Sequence, residues 1–146
     1  MIVFLPLKPQ YAKGVMTGAK RYEFRKTRFG HNPSMAVIYA TTPIKKVLGY
    51  CTVEQVIHGN PADLWNTCSR EGGIAEADYW AYYAGRTGGY ALRLGEVFVF
   101  PTPVRIGEAL PGFAIPQSFR YLSKEQFQQI FRLGYSVSDM TSAAAD

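Results

Sequence analysis

A short charged segment offers the residue types with which a protein can bind an anion or move a proton. Five of the seven residues from Lys20 to Lys26 are charged, and two aromatic residues lie among them. Lysine and arginine donate charge-assisted hydrogen bonds to phosphate or carboxylate groups, and a glutamate accepts them from an amine or amide. The segment is therefore the first candidate for a site that binds an anionic or amide-bearing ligand.

The alternation of this segment predicts a β-strand. Successive side chains of a strand point to opposite faces, so Tyr22 and Phe24 would face a core while Glu23 and Arg25 face the other way. Lys20 stands at the entrance of the strand, after a Gly-Ala turn, so the alternation does not determine its direction. Two interpretations remain open: the charges meet at a binding site, or they form a solvated edge strand that resists aggregation.

Acid–base chemistry is a further option for the same residues. In a dry pocket, desolvation and the neighbouring Arg25 would lower the pKa of Lys20, whereas Glu23 would oppose that shift. If the protein is an enzyme, Lys20 and Glu23 are the candidate catalytic residues. Lys20 would act as the base or nucleophile, and Glu23 would be its partner. Either His31 or His58 could also act as an acid or base, but they are far apart in sequence.

Length and composition predict one folded domain. The chain has 146 residues, of which 47% are hydrophobic and 18% are charged. We expect residues 1–135 to form a single domain and residues 136–146 to form a flexible tail.

The net charge of +5 is uneven, because residues 1–58 hold nine basic and only two acidic side chains. A basic half favours a nucleic-acid partner.

Cysteine and histidine spacing predicts neither a metal site nor a cofactor. The two cysteines form no CxxC pair, and only two histidines are present. The first residues lack the features of a signal peptide, and no stretch reaches membrane-spanning length. These features predict a cytoplasmic protein with two free thiols and no membrane partner.

The elements that must position the charged segment predict an α+β fold. Asn60 before Pro61 is typical of a helix start, and Ser123 with Gln126 forms a capping-box pattern. Gly49 marks a bulge or bend within the longest strand segment, which could be one strand or two. Short strands with glycine bends predict a small closed or nearly closed β-barrel with inserted and flanking helices. The predicted strands are residues 2–5, 20–27, 35–40, 44–57 and 90–100, and the predicted helices begin near residues 9, 60, 75 and 124.

Three segments in order resemble the ASCH domain family of the PUA-like superfamily. They are Gly18-x-Lys20-x-x-Glu23-x-Arg25, the strand with Leu48-Gly49-Tyr50, and the C-terminal motif Pro116-Gln117-Ser118-Phe119-Arg120-Tyr121-Leu122. The resemblance covers about residues 1–133, and it implies a β-barrel with a cleft, related to domains that bind RNA or modified nucleobases.

The resemblance also implies two possible activities. One branch of the family resembles an amidohydrolase for N4-acetylcytidine that uses a Lys, a Thr and a Glu. Lys20 matches that Lys, Glu23 stands where the Thr is expected, and the Glu would fall near Glu71. Ribonuclease activity is also associated with a few members of the family.

The leading hypothesis is a domain that binds RNA or a modified nucleoside in its cleft. The alternatives are a hydrolase that acts on N4-acetylcytidine-type nucleosides or on RNA, and a regulatory protein that binds a small ligand. Glu23 and Arg25 could also form a structural ion pair, and Tyr121 could be a core residue. Ser118 could form a hydrogen bond with the backbone of its own loop. The candidate ligand-binding residues are Lys20, Glu23, Arg25, Tyr39, Tyr90, Ser118 and Tyr121.

Overall fold

Six strands and five α-helices make up the part of the chain that the computed structural model describes, residues 1–136. The predicted tail, apart from its first residue, lies outside these residues. None of the helices in residues 1–136 is both long and apolar enough to cross a membrane. The strands are β1 (Ile2–Leu7), β2 (Tyr22–Arg25), β3 (Met35–Ala40), β4 (Lys46–Gly59), β5 (Gly89–Val104) and β6 (Arg120–Leu122). The helices are α1 (Pro9–Thr17), α2 (Pro61–Cys68), α3 (Glu76–Tyr82), α4 (Ile106–Ala109) and α5 (Lys124–Gly134), with a 3₁₀ turn at Ser69–Glu71.

The strands form one mixed sheet in the order β2-β5-β4-β3-β1-β6. β1 pairs with β3 in parallel, and every other pair is antiparallel. The α+β prediction is therefore confirmed. A closed barrel is not seen, because β2 and β6 are the two edges of the sheet and no backbone pairing joins them within residues 1–136.

The segment 44–57, predicted as one strand or two, is a single strand. β4 runs from Lys46 to Gly59, and its pairing with β5 shifts register between Val47 and Gly49. A Cβ at Gly49 would lie 2.2 Å from the carbonyl oxygen of Phe98. The predicted bulge at Gly49 is thus confirmed, and its reason is the close approach of the two backbones.

Local capping residues set three helix boundaries at the positions that the sequence predicts. Gly18 terminates α1 in the left-handed conformation, at φ 83°. The Asn60 side chain accepts a hydrogen bond from the Asp63 backbone N–H at 2.8 Å. Ser123 and Gln126 form the reciprocal capping box at the start of α5. These caps set the end of α1 and the starts of α2 and α5.

Apolar side chains cover both faces of the sheet. Along β3, Ile38 belongs to the cluster beneath α1, whereas Val37 and Tyr39 belong to the cluster beneath α5. This division follows from the two-residue period of a strand. A third cluster lies where β2 and β5 meet α2 and α3, and it contains Tyr22, Phe24, Leu64, Cys68, Tyr79, Tyr83 and Ala91.

Candidate functional site: a charged cleft and its neighbouring pocket

A cleft of ≈ 680 Å³ lies between the start of α1, strand β2 and helix α3. Three basic and two acidic side chains line it, together with aromatic rings from both helices. Charged and aromatic side chains of this kind suit a ligand with a phosphate and a planar ring. Its lining residues are Pro6, Leu7, Lys8, Gln10, Tyr11, Lys20, Glu23, Phe24, Arg25, Ile74, Asp78, Ala81, Tyr82 and Gln117.

Lys20 is placed by the sharp turn that follows α1. After Gly18 reverses the chain, the backbone N–H of Lys20 donates to the carbonyl of Gly14 at 2.9 Å. The Lys20 ammonium then donates to the carbonyl of Gly72 at 2.6 Å and lies 3.7 Å from Oε1 of Glu23. Main-chain and side-chain contacts therefore hold this amine at the floor of the cleft.

The loop at Gly73 packs directly over the aliphatic part of Lys20. Gly73 has φ +60°, and a Cβ there would lie 2.5 Å from the Cβ of Lys20. The rings of Tyr11 and Phe24 each have their centroids 5.2 Å from the Lys20 ammonium. Burial lowers the pKa of Lys20, and the nearby negative charge of Glu23 opposes that effect only in part.

Glu23 lies between the two buried cations of the cleft. Its Oε2 accepts a hydrogen bond from Nη1 of Arg25 at 3.0 Å, while Oε1 faces Lys20. Only 2% of Lys20, 6% of Glu23 and 9% of Arg25 is exposed. The solvated-edge interpretation is therefore wrong, although β2 is an edge strand, because the loops at Gly72 and Ser118 cover its charged face.

Arg25 links the cleft to the segment before β6. Its Nη2 donates to the backbone carbonyl of Ser118 and, at 3.2 Å, to the Ser118 hydroxyl. Ser118 therefore contacts a cleft residue, while its neighbour Gln117 lines the cleft itself. The ion pair between Glu23 and Arg25 is also real, so the structural role considered from the sequence is present within the site.

The cleft contains side chains that sequence reasoning did not select. Tyr11 and Tyr82 are not among the candidate ligand-binding residues predicted from the sequence, yet both line the cleft. Burial raises the pKa of the Tyr82 phenol. Asp78 supplies the second carboxylate, whereas Glu71 is not among the lining residues. No local signal separates a cleft-lining tyrosine from a core tyrosine, because the cleft forms only when α1 and α3 approach β2.

The structure places Tyr39 away from the cleft. Its ring packs 5.3 Å from Phe4 in the cluster beneath α5, and only 6% of the residue is exposed. Because side chains alternate along β3, Tyr39 points to the face opposite that of Ile38. The expectation that Tyr39 contributes to a binding cleft therefore needs correction.

Tyr90 lies in a separate pocket of ≈ 520 Å³ beside the cleft. Its ring stacks on His58 with centroids 4.7 Å apart and planes 14° apart. His31, which the sequence separates widely from His58, lines the same pocket. This pocket is the neighbouring site, and its lining is Arg28, Phe29, Gly30, His31, Asn32, Val56, His58 and Tyr90.

Tyr121 supports the loop that carries His31. Its hydroxyl accepts from the His31 backbone N–H at 2.9 Å and donates to the His31 carbonyl at 2.7 Å. Tyr121 lines neither the cleft nor the neighbouring pocket. Its observed contacts are thus those of a residue that positions a loop, and not those of a ligand-binding ring.

Candidate metal ligands do not cluster within the described part of the chain. No group of three or more His, Cys, Asp or Glu side chains in residues 1–136 is arranged to hold a metal ion. Cys51 and Cys68 are both buried free thiols. The polar side chains that line the cleft are two lysines, an arginine, two carboxylates, two glutamines and two tyrosines.

Relatives of known sequence include a bacterial protein of matching length. An ASCH domain-containing ribonuclease of Zymomonas mobilis is 31% identical over 138 residues, which cover 88% of this chain and 89% of that protein. A large ribosomal subunit protein uL22 of Ureaplasma parvum is 29% identical over 103 residues, which cover 70% of this chain but 33% of that protein. No protein-family model matches the sequence.

Solved structures include two with the same arrangement of elements. The crystal structure of ASCH from Zymomonas mobilis has a TM-score of 0.84 at 30% identity and covers 90% of this chain and 94% of that chain. The N-terminal domain of Staphylothermus marinus McrB has a TM-score of 0.59 at 11% identity and covers 89% and 92%, so it shares the fold alone. The sequence match over most of both chains and the agreement in fold lead to one conclusion: this chain belongs to the ASCH domain family.

Proposed function

We propose that this protein binds single-stranded RNA or a modified nucleoside, with one nucleotide held in the cleft by Lys20, Glu23 and Arg25. The observation that carries the proposal is the convergence of these three nearly buried charged side chains on one open cleft. Burying ionised groups costs several kcal/mol of desolvation each, on the order of the attraction gained, so their retention favours a ligand-related role. The name of the Zymomonas mobilis relative, a ribonuclease, supports RNA as the partner.

The walls of the cleft suit the parts of a nucleotide. Tyr11 and Tyr82 present aromatic rings on which a base stacks. Lys8 and Lys20 attract its phosphate, and Glu23 accepts a hydrogen bond from an exocyclic amine. Gln117 adds an amide that both donates and accepts, which is the kind of group that reads the edge of a base.

The fold supports a barrel-like variant of the PUA-like architecture. In this proposal residues 1–135 act as one domain, and side chains instead of backbone pairs join the two edges of the sheet. Arg25 of β2 contacts Ser118, and Phe29 after β2 packs 4.5 Å from Phe119 before β6. The domain would work on RNA in the cytoplasm, as its composition and basic half suggest.

The test is a binding measurement with a charge-matched control. Lys20→Gln removes the buried amine, whereas Lys13→Gln removes an exposed lysine of α1 and gives the same change in net charge. Fluorescence anisotropy with single-stranded RNA should show weaker binding for Lys20→Gln, and near-unchanged binding for Lys13→Gln. Affinity should fall with salt at a log–log slope of about 0.7 per phosphate contacted. Equal affinity for all three proteins would rule out the cleft as the site.

A second candidate function is hydrolysis in the same cleft, on RNA or on an N4-acetylcytidine-type nucleoside. It rests on Lys20, since burial lowers its pKa and so increases the fraction of neutral amine available as a base. For RNA, Lys20 would take the proton of the 2′-hydroxyl, the 2′-oxygen would bond to phosphorus, and the bond from phosphorus to the 5′-oxygen would break. The protonated Lys20 would return the proton to that oxygen, and Arg25 would offset the charge on phosphate.

Product analysis separates the two candidate functions. Cleaved RNA with 2′,3′-cyclic phosphate ends, or acetate released from N4-acetylcytidine, would be lost in Lys20→Gln and retained in Lys13→Gln if the cleft is catalytic. Binding without either product would leave the protein as a binding domain.

A further inference from the structure

A row of three side chains crosses the sheet from the cleft to the neighbouring pocket. Arg25 of β2 pairs with Tyr90 of β5, and Tyr90 pairs with His58 of β4. Directly paired residues of adjacent strands project to the same face of a sheet. Arg25, Tyr90 and His58 therefore lie side by side on one face, across two strand spacings or roughly 10 Å.

The neighbouring pocket carries positive and aromatic groups but no carboxylate among its lining residues. Its basic side chains are Arg28, His31 and His58, of which all three are exposed. The rings of His58 and Tyr90 stack face to face beside them, and His58 is the more exposed of the two. An exposed aromatic ring next to a cation such as Arg28 is the combination with which proteins hold single-stranded nucleic acid.

The loop that completes this pocket is held in place from the far edge of the sheet. Tyr121 of β6 binds both the N–H and the carbonyl of His31, and Phe119 packs on Phe29. Two backbone hydrogen bonds and a ring contact limit the freedom of the loop. The loop therefore loses less conformational entropy when Arg28 and His31 bind a ligand.

We propose that this pocket is a second RNA subsite, in which a base stacks on the His58–Tyr90 pair and its phosphate contacts Arg28 and His31. The inference rests on the proposed function, because it extends the strand whose neighbouring nucleotide occupies the cleft. Arg25 lies between the two subsites, so the bound strand follows the row from Arg25 to Tyr90 to His58. A single mononucleotide fills only the cleft, whereas an oligonucleotide fills both.

The experiment compares a single-stranded RNA decamer with a mixture of the four ribonucleoside monophosphates. His58→Ala removes the more exposed ring of the stacked pair. Gln55→Ala is the control, at an exposed position of the same strand. We expect His58→Ala to weaken binding of the decamer by about 5- to 100-fold, the range that loss of a stacked base gives. Binding of the monophosphates should stay unchanged, and Gln55→Ala should leave both unchanged.

Two further variants separate stacking from charge. His58→Phe keeps an aromatic ring and should retain most of the affinity for the decamer. Arg28→Gln should weaken decamer binding and lower its log–log salt slope by about 0.7, the value for one phosphate contact on a single strand. Melting temperatures of the variants should match that of the wild type, since His58 and Arg28 are exposed.

The outcomes distinguish this inference from the proposed function. If His58→Ala and Arg28→Gln bind the decamer as the wild type does while Lys20→Gln binds it weakly, the second subsite is wrong and the cleft proposal stands. Equal weakening for the decamer and for the monophosphates would also overturn a separate subsite. If the wild type binds neither the decamer nor the monophosphates, both proposals fall.

Discussion

Arg25 donates hydrogen bonds to both the backbone carbonyl and the hydroxyl of Ser118, and this contact joins the two edges of the sheet. Arg25 ends the edge strand β2, and Ser118 stands just before the opposite edge strand β6. No backbone pairing joins these strands within residues 1–136. A single guanidinium thus binds Glu23 on one side and the far edge of the sheet on the other.

Arg25→Lys should destabilise the protein although it keeps the charge. An ammonium lacks the planar set of donors that reaches Glu23 and Ser118 together. We expect the free energy of unfolding in urea to fall by about 1–3 kcal/mol, the usual cost of a buried partner left unsatisfied. Arg70→Lys, at an exposed position, is the matched control and should change it by less than about 0.5 kcal/mol. Equal stability of the two variants would contradict this role for Arg25.

Gly73→Ala should disturb Lys20 as well as the local backbone. Gly73 has φ +60°, and the added Cβ would lie 2.5 Å from the Cβ of Lys20. Gly85→Ala is the control, because Gly85 has φ +77° but no heavy atom within 4 Å of the added Cβ. Strain in the left-handed region costs about 1–2 kcal/mol at both positions, and overpacking should cost Gly73→Ala about 1–3 kcal/mol more. RNA binding should weaken in Gly73→Ala alone. A similar loss of stability and affinity in both would show that contact with Lys20 is unimportant.

The stability of the protein should depend on the protonation of Lys20. Burial holds the pKa of Lys20 below its ordinary value of 10.5 in the folded chain. Between the folded and the unfolded pKa, the unfolded chain binds more protons, so the free energy of unfolding increases with pH in that window. We therefore expect the wild type to gain stability relative to Lys20→Gln as the pH rises towards 10.5. Chemical denaturation at a series of alkaline pH values measures both free energies of unfolding. A wild type that loses stability relative to Lys20→Gln as the pH rises would contradict a lowered pKa for Lys20.

Both thiols should resist modification in the folded protein. Burial raises the pKa of Cys51 to about 12 and that of Cys68 to about 11. The thiolate is the reactive form, so at about pH 8 both should react with a thiol reagent far more slowly than free cysteine does. Unfolding in urea should restore a normal rate for two thiols per chain. Mass spectrometry after a timed pulse of iodoacetamide counts the modified sites, and rapid labelling of either cysteine in the native protein would show that it is not protected.

Much of the secondary structure follows from short-range patterns. Gly18, Asn60 and the Ser123–Gln126 pair each act on backbone groups within a few residues, so the sequence is enough to place these helix ends. The alternation of β2 likewise predicts that Tyr22 and Phe24 face a core, and both lie in the third cluster. The short helix α4 was not predicted, because the four glycine and proline residues at 107–117 indicate a loop.

The composition of the charged cleft is a different matter. The sequence by itself determined that Lys20, Glu23 and Arg25 lie together at one strand, since their spacing is local. Only the tertiary structure decided that they are buried and not solvated, because the covering groups at Gly72 and Ser118 come from distant segments. Tyr82 lines the cleft, Tyr39 lies in the cluster beneath α5, and His31 and His58 line one pocket. These positions could not be predicted, because contacts between remote residues depend on how the elements pack, which a local pattern does not encode.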